Sequence, residues 1–119
     1  MARARVARRL DEAPATAVAG EGVRDVMKRV LISPGDGWEG WVMRLFEVAP
    51  GGHTPHHRHD WPHVNFVVSG RGELVLGDEV LGIEAGSFAF VPGGEPHQYR
   101  AAADEGLAFI CIVPERGEG

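Results

Sequence analysis

Glycine and proline restrict the fold of this chain more than any other feature, since 17 glycines and 8 prolines together make up 25 of its 119 residues. Both residue types are unfavourable inside helices and common in turns. They divide the chain into strand-like runs at residues 41–48, 63–68, 73–76, 87–91 and 107–113. Short strands at such spacing are typical of a sandwich or barrel. Because this length suits one compact domain, we predict a single all-β domain.

One segment carries a conflicting signal. Its apolar residues recur at the spacing of a helix face, and they are Val23, Val26, Met27, Val30 and Leu31. Periodicity alone predicts a helix here, because only residues 28–32 alternate as a strand would. We interpret the segment as a strand, because its neighbours are strand-like and a lone short helix would still need a surface to pack on.

Charge and cysteine content exclude several classes of function. The net charge is −5, from 12 basic and 17 acidic residues, which argues against a nucleic-acid partner because phosphate binding requires a basic face. The single cysteine, Cys111, excludes an intrachain disulfide and a multi-cysteine metal site. No apolar run approaches the roughly 20 residues of a membrane helix. We expect a cytoplasmic protein that binds a small molecule and neither nucleic acid nor a membrane.

The first ten residues are basic and contain no acid; their arginines are Arg3, Arg5, Arg8 and Arg9. A start rich in arginine and poor in acid is also typical of an organelle transit peptide. The segment lacks serine, however, and the acids Asp11 and Glu12 follow it. We therefore favour an edge strand whose basic side chains face water.

Five of the six histidines lie between residues 53 and 63. His57 and His59 are two residues apart, so in a strand they would share a face. His63 has the same parity beyond a turn, and His97 lies in a later predicted strand. These four side chains can therefore converge inside a small barrel.

Converging histidines indicate a metal site, because imidazole nitrogen suits zinc, copper, iron and nickel. Four of them would leave open positions on an octahedral ion, as catalysis requires, but would close a tetrahedral zinc site and so favour a structural role. Adventitious metal binding by a histidine-rich loop is the alternative. His53 and His56 have no second ligand at strand spacing, and we expect neither to bind metal.

Two sequence motifs resemble those of the cupin superfamily. Residues 51–70 match the first motif in spacing, from its opening glycine through the H-x-H of His57 and His59 to its closing glycine. Residues 86–97 match the second motif at its glycine, its P-x-G and its histidine, His97. The resemblance extends from about residue 23 to 114, which is most of the chain. It implies a double-stranded β-helix, a small jelly-roll-like barrel, and it favours a strand at residues 23–32.

Two positions depart from these motifs, since His63 replaces the usual glutamate and Ala101 the closing asparagine. The resemblance implies that His57, His59 and His97 are the three standard ligands, and it puts His63 in the fourth place. The site is then similar to the all-histidine centre of certain small single-domain cupins, several of which bind manganese. One divalent ion per chain is implied, with manganese first and iron, copper, nickel or zinc as alternatives.

The domain boundaries follow from the resemblance. We expect a cupin barrel at residues 23–114, an N-terminal arm or edge strand at residues 1–22 and a flexible C-terminal tail at residues 115–119. A small open barrel has exposed edge strands, and the arm could pack on its own barrel or cross to a second subunit. We therefore predict a homodimer.

The function implied by the resemblance is enzymatic. Four neutral ligands leave the full charge on the ion, which favours the divalent state and Lewis acidity. Cupins similar to this chain include dioxygenases, lyases and isomerases. A dioxygenase-type oxidoreductase is our leading hypothesis, a lyase or isomerase the second, and a non-enzymatic ligand-binding or sensing module the third.

Several further residues are candidates for the pocket. The resemblance places Phe109 and Cys111 near the metal, although Cys111 could equally be a small core residue. Arg44 lies in an apolar run and would anchor an anionic or carbonyl group if it faced inward; from the sequence, an outward orientation is equally favoured. Trp61 could gate the barrel mouth or cap the core. Asn65 and Gln98 are candidate hydrogen-bond partners of the ligand imidazoles.

Overall fold

A computed structural model of the chain describes residues 6–118. In that range the regular structure is eight strands and three short 3₁₀ turns, which confirms the all-β single domain. The 3₁₀ turns are Leu10–Glu12, Pro34–Asp36 and Glu115–Gly117. The strands are β1 (Ala15–Ala17), β2 (Arg24–Ile32), β3 (Trp41–His53), β4 (His63–Leu76), β5 (Glu79–Glu84), β6 (Phe88–Val91), β7 (His97–Ala101) and β8 (Leu107–Pro114).

The strands close into a barrel because β8 pairs with both β3 and β4. The main path runs β1-β2-β3-β7-β4-β5, and β6 also pairs with β4. β4 thus has four antiparallel neighbours along its length. This closed arrangement confirms the predicted cupin-type barrel. None of the helical segments in the described range is long and apolar enough to cross a membrane.

The segment with the helix-like period is strand β2, as predicted. Its pairing with β3 is irregular at two points, between Arg24 and Val26 and between Val30 and Ile32. Asp25, at the first irregularity, has a positive φ of 53°. A bulge shifts the side chains that follow it to the opposite face, so two bulges in nine residues turn a period of two into an apparent helical period.

The N-terminal arm contributes an edge strand, but not where the arginines predicted it. Arg3 and Arg5 lie outside the described residues, and the described residues before the first 3₁₀ turn form no strand. The edge strand is β1, which pairs with β2. The Arg29 guanidinium also donates to the Ala13 carbonyl (2.6 Å), so this part of the arm packs on its own barrel. This strand consists of alanine, threonine and alanine. Of these, only threonine favours strands, so the sequence contains little indication of it.

The hydrophobic core fills one part of the barrel. It is built from inward-facing residues that include Val42, Val67, Leu74, Leu107 and Val113. Gly70, the closing glycine of the first motif, has a φ of +79°, and a Cβ there would overlap the carbonyl of Gly106. That glycine therefore allows β4 to cross close to the start of β8. The remaining barrel interior is a cavity, which holds the histidines.

Candidate metal centre

Two of the predicted ligands lie on a loop and two begin strands. Residues 54–62 connect β3 to β4 without forming a strand, so the premise that His57 and His59 share a strand face is wrong. The loop is instead fixed by an isolated bridge, in which the backbone N–H groups and carbonyls of His57 and His97 pair at 3.1 and 2.9 Å. This bridge brings the two histidines together. The ligand atoms of His57, His59 and His97 all lie within 4.8 Å of one another.

Backbone carbonyls fix the orientation of two imidazoles. His59 Nδ1 donates to the carbonyl of Trp61, and His97 Nδ1 donates to the carbonyl of Glu95, each at 2.9 Å. A carbonyl oxygen can only accept, so each Nδ1 carries the proton and each Nε2 carries a lone pair. Such a partner on the second ring nitrogen is typical of metal-binding histidines.

A side-chain amide orients His63. β4 alternates between inward and outward side chains, so His63 and Asn65 both face the interior and are 5% and 2% exposed. Asn65 Nδ2 donates to the Ile110 carbonyl (3.2 Å), which turns Asn65 Oδ1 towards His63 Nδ1 at 2.7 Å. The predicted contact of Asn65 with an imidazole of the candidate centre is thus present, at His63. His63 Nε2 is left with a lone pair directed into the cavity.

The spacing of the nitrogens fits a metal ion. His63 Nε2 lies 3.2 Å from His97 Nε2, and the hydrogen bonds above leave both atoms as acceptors. Two lone pairs at this distance repel unless a cation lies between them. Ligands about 2.1 Å from one ion are separated by roughly 3.0 to 3.4 Å in octahedral or tetrahedral geometry. The donor set therefore fits a divalent ion, with His63 near enough to join the group of three.

Burial keeps these histidines neutral. Burial, reinforced by His97, lowers the pKa of His63 to about 3. Burial also lowers the pKa of His97 to about 4, although the Glu95 carbonyl partly opposes it. The pKa of His57 is lowered as well, first by burial and then by the charge of His59. At neutral pH these three imidazoles can bind a metal without releasing protons.

The histidines line a cavity of about 480 Å³. Aromatic rings form one wall, where Phe109 stacks on Phe46 (5.4 Å between ring centroids) and on Tyr99 (4.1 Å). Trp61 lies at the cavity and stacks on His59, with centroids 4.4 Å apart and planes at 6°. This volume exceeds what an ion and its waters would require, so the cavity has room for a small organic molecule as well.

Arg44 and Cys111 both face this cavity. Arg44 is 9% exposed, and its guanidinium lies over the Phe46 ring, with Cζ 4.9 Å from the centroid. Arg44 Nη2 donates to Cys111 Sγ at 3.0 Å. Burial raises the pKa of the Cys111 thiol, although Arg44 opposes the shift. The structure thus resolves the orientation of Arg44 that the sequence left open, in favour of the pocket.

The structure also identifies cavity residues that the sequence did not suggest. Tyr99 contributes a buried hydroxyl that has no hydrogen-bond partner among the described residues. Lys28, on β2, and Glu118, after β8, also line the cavity. Parity along a strand could have suggested Lys28, since Val26 and Lys28 share a face, but no local pattern marks Glu118.

Two remaining predictions concern the other polar residues. Gln98 does not contact a ligand imidazole: its Nε2 donates to the Thr54 carbonyl (2.9 Å) and lies 3.4 Å from His53 Nδ1. That prediction is wrong because Gln98 alternates with His97 along β7 and so faces the opposite side. His53 and the exposed His56 lie outside the group of His57, His59 and His97.

The fold and the site define a class: a small β-barrel protein with a candidate metal centre of grouped histidines beside a ligand-sized cavity. Residues 44–113 match the family model described as the cupin domain. The chain therefore belongs to the cupin family.

Relatives and solved structures extend this likeness. The chain is 41% identical over 90 residues to the 1-methylthio-D-xylulose 5-phosphate methylsulfurylase of Rhodospirillum rubrum; the match covers 76% of this chain and 56% of that protein. The chain thus spans little more than half of that relative's length. The structure of the polyketide cyclase RemF from Streptomyces resistomycificus has a TM-score of 0.85 and 32% identity, covering 92% of this chain and 78% of that one. A cupin-2 domain from R. rubrum has a TM-score of 0.81 and 33% identity, covering 94% and 76%.

Proposed function

We propose that this protein is a metal-dependent enzyme that holds one divalent ion and acts on a small organic substrate. His57, His59, His63 and His97 would be the ligands. One observation carries the proposal: the ligand atoms of His57, His59 and His97 lie within 4.8 Å of one another at the wall of a cavity of about 480 Å³. A purely structural site would need no such cavity beside it.

The chain's own residues would bind and orient the substrate. When bound, the ion would supply Lewis acidity to an oxygen of the substrate. Arg44 would hold an anionic or carbonyl group, and the Tyr99 hydroxyl would donate to a polar atom, since it has no partner among the described residues. The stacked rings of Phe46 and Phe109 would exclude water from the reacting atoms.

Lewis-acid chemistry, as in a lyase, isomerase or group transfer, is our first candidate for the reaction type. The names of the similar proteins support it, because a methylsulfurylase and a cyclase are not named for oxygen chemistry. The first substrate to test is 1-methylthio-D-xylulose 5-phosphate. A dioxygenase-type reaction is the second candidate, supported by four neutral ligands that would leave positions open on an octahedral ion.

Manganese is the ion we propose, on the resemblance to small manganese-binding cupins. Iron, copper, nickel and zinc are the alternatives, because imidazole nitrogen suits them.

Elemental analysis of untagged protein identifies the ion. We expect about one equivalent per chain, a loss in His97→Ala, and full retention in His56→Ala, whose side chain lies outside the ligand group. Equal metal content in both variants would overturn the centre.

Turnover distinguishes the reaction types. Product formation from the sugar phosphate without oxygen uptake, lost in His59→Ala, supports Lewis-acid chemistry. Oxygen uptake coupled to substrate loss supports a dioxygenase. If metal-loaded protein binds the substrate but the His59→Ala variant binds it equally well and neither turns it over, the protein is a ligand-binding module instead.

We also propose a homodimer formed through the outer face of β4, β6 and β8. Phe88, Phe90, Val64 and Phe66 are 84%, 59%, 50% and 46% exposed there, and the register pairs them across β4 and β6. A contiguous group of exposed apolar side chains can mark a contact between protein chains. Sedimentation should give a dimer that Phe88→Glu disrupts, whereas Val80→Glu, which is exposed on β5, should not. A wild-type monomer at micromolar concentration would contradict the proposal.

We propose a cytoplasmic location because Cys111 is a free, buried thiol and a reducing compartment keeps such a thiol intact. Fractionation of cells that express a tagged chain tests it.

A further inference from the structure

A carboxylate from the segment after β8 enters the candidate active site. The 3₁₀ turn Glu115–Gly117 redirects the chain, and Glu118 then lines the cavity. Glu118 Oε2 lies 2.7 Å from Lys28 Nζ, and Glu118 Oε1 lies 3.2 Å from Arg44 Nη1. All three side chains are largely buried, with exposures of 25% for Glu118, 25% for Lys28 and 11% for Arg44. The flexibility predicted for residues 115–119 stays a prediction. In this structure Gly117 and Glu118 occupy part of the cavity lining.

The register of two neighbouring strands places the cations together. Lys28 pairs with Phe46, and Val30 pairs with Arg44, so Lys28 and Arg44 are diagonal neighbours on β2 and β3. Diagonal side chains on one face of a sheet lie close enough for long residues to reach one ligand. The two positive groups therefore belong to the barrel wall, whereas their carboxylate partner comes from the segment that follows β8.

The charge of the cavity favours a second anion. Glu118 is the only carboxylate among the described residues that line it, against the two cations Lys28 and Arg44. A divalent ion at the neutral histidines would add further positive charge. Without the Glu118 carboxylate, two partly buried cations would lack a partner, and leaving such charges unpaired is costly.

Glu118 does not use all the donors of Arg44. It accepts from Nη1, and Cys111 Sγ accepts from Nη2, but Nε is buried without a hydrogen-bond partner among the described residues. A guanidinium binds phosphate or carboxylate best through two parallel N–H donors. An anion that accepted from Arg44 Nε as well as from Nη1 would therefore use a donor that Glu118 leaves unpaired.

We propose that Lys28 and Arg44 form a subsite for the phosphate or carboxylate group of the substrate, and that Glu118 occupies this subsite until the substrate anion displaces it. The inference rests on the proposed function, because it names the class of substrate that the same cavity accepts. It adds that the chain carries an internal competitor for its own ligand. An anionic substrate thus has to release residues 117–118 from the cavity.

The displacement should change the surroundings of Trp61. Gly117 packs so closely on this indole that a Cβ at Gly117 would lie 2.6 Å from Trp61 Nε1. When an anion releases Glu118, Gly117 should leave Trp61 as well. The fluorescence of Trp61 should therefore change when residues 117–118 leave the cavity. Because the chain has three tryptophans, the Trp61→Phe variant shows how much of the fluorescence change comes from Trp61.

The test is calorimetric titration of the full chain, as purified, with inorganic phosphate and separately with acetate. The titration is run at about pH 8, above the ordinary range of histidine pKa values. We expect Glu118→Gln to bind phosphate about 5- to 10-fold more tightly than wild type, because the competing carboxylate is gone. Adding Lys28→Met to Glu118→Gln should weaken phosphate binding about tenfold again.

Glu115→Gln is the matched control, because it removes an exposed carboxylate from the same segment without touching the subsite. It should bind phosphate as wild type does. Tighter binding of phosphate alone in Glu118→Gln assigns a phosphate group to the substrate, and tighter binding of acetate alone assigns a carboxylate. Equal gains support an anion subsite that accepts either group. If neither anion binds more tightly, or if Lys28→Met leaves the gain intact, the subsite is refuted. This measurement depends on neither metal content nor turnover. The anion subsite can therefore be refuted while the proposed enzyme activity stands, and the enzyme activity can be refuted while the subsite stands.

Discussion

Replacing Asn65 with alanine tests whether His63 is a fourth ligand. Asn65 is 2% exposed, accepts from His63 Nδ1 at 2.7 Å and donates to the Ile110 carbonyl at 3.2 Å. In Asn65→Ala, the His63 proton is no longer held on Nδ1, so the lone pair on Nε2 is no longer guaranteed. The metal should then lose one well-oriented donor, although no ligand has been removed.

Two magnitudes follow from these contacts. The variant removes the acceptor of the buried His63 Nδ1 and one donor to the Ile110 carbonyl. At about 1–3 kcal/mol for each lost partner, we expect the free energy of unfolding to fall by roughly 2–6 kcal/mol. Removing the partner of a ligand imidazole lowers metal affinity by about 10- to 100-fold. We would measure metal affinity by competition with a chromophoric chelator, and stability by urea unfolding of the metal-free protein.

Two matched variants separate orientation from general damage. Gln98→Ala removes an amide that contacts Thr54 and His53 only, so metal affinity should not change. Asn65→Asp keeps the acceptor for His63 Nδ1 and should retain most of the affinity. If Asn65→Ala binds metal as tightly as wild type while His97→Ala does not, the hydrogen bond from His63 to Asn65 does not orient a metal ligand, and the argument from this contact for His63 as a fourth ligand is refuted.

Three further predictions concern stability and the pocket. The unfolded chain protonates its histidines below pH 6.5, whereas folded His97 and His63 stay neutral down to about pH 4 and 3; urea unfolding of the metal-free protein should therefore show stability lost as the pH falls through this window and little effect above it. A Cβ at Gly70 would overlap a backbone carbonyl, whereas one at Gly94 would meet no atom within 4 Å; we expect Gly70→Ala to cost at least about 3 kcal/mol and Gly94→Ala about 1 kcal/mol of unfolding free energy, and equal costs would contradict the steric argument. Tyr99→Phe removes a hydroxyl without a described partner, so thermal unfolding should show unchanged or slightly higher stability, by up to about 1 kcal/mol, while turnover falls; a large loss of stability would show that the hydroxyl is paired inside the protein.

Much of the fold and part of the site follow from the sequence. Glycines and prolines at regular spacing predict short strands because few residues tolerate the turns between them. The histidine pattern predicted the residues of the candidate centre, since imidazole is a common metal ligand wherever the chain places it. The strand at Arg24–Ile32 was predicted from its neighbours and from the family resemblance, and its own periodicity indicated a helix. The periodicity is misleading because two bulges interrupt the pairing of this strand, and a local pattern cannot reveal bulges.

Only the tertiary structure decided how those residues meet. His57 reaches His97 through a loop bridge rather than a shared strand, and Arg44 turns inward because Cys111 and Glu118, far along the chain, provide its partners. Contacts between distant residues depend on barrel closure and register, which no short window of sequence contains. The sequence alone therefore determined which chemical groups the site contains, and the fold determined which of them share the cavity and what charge they face.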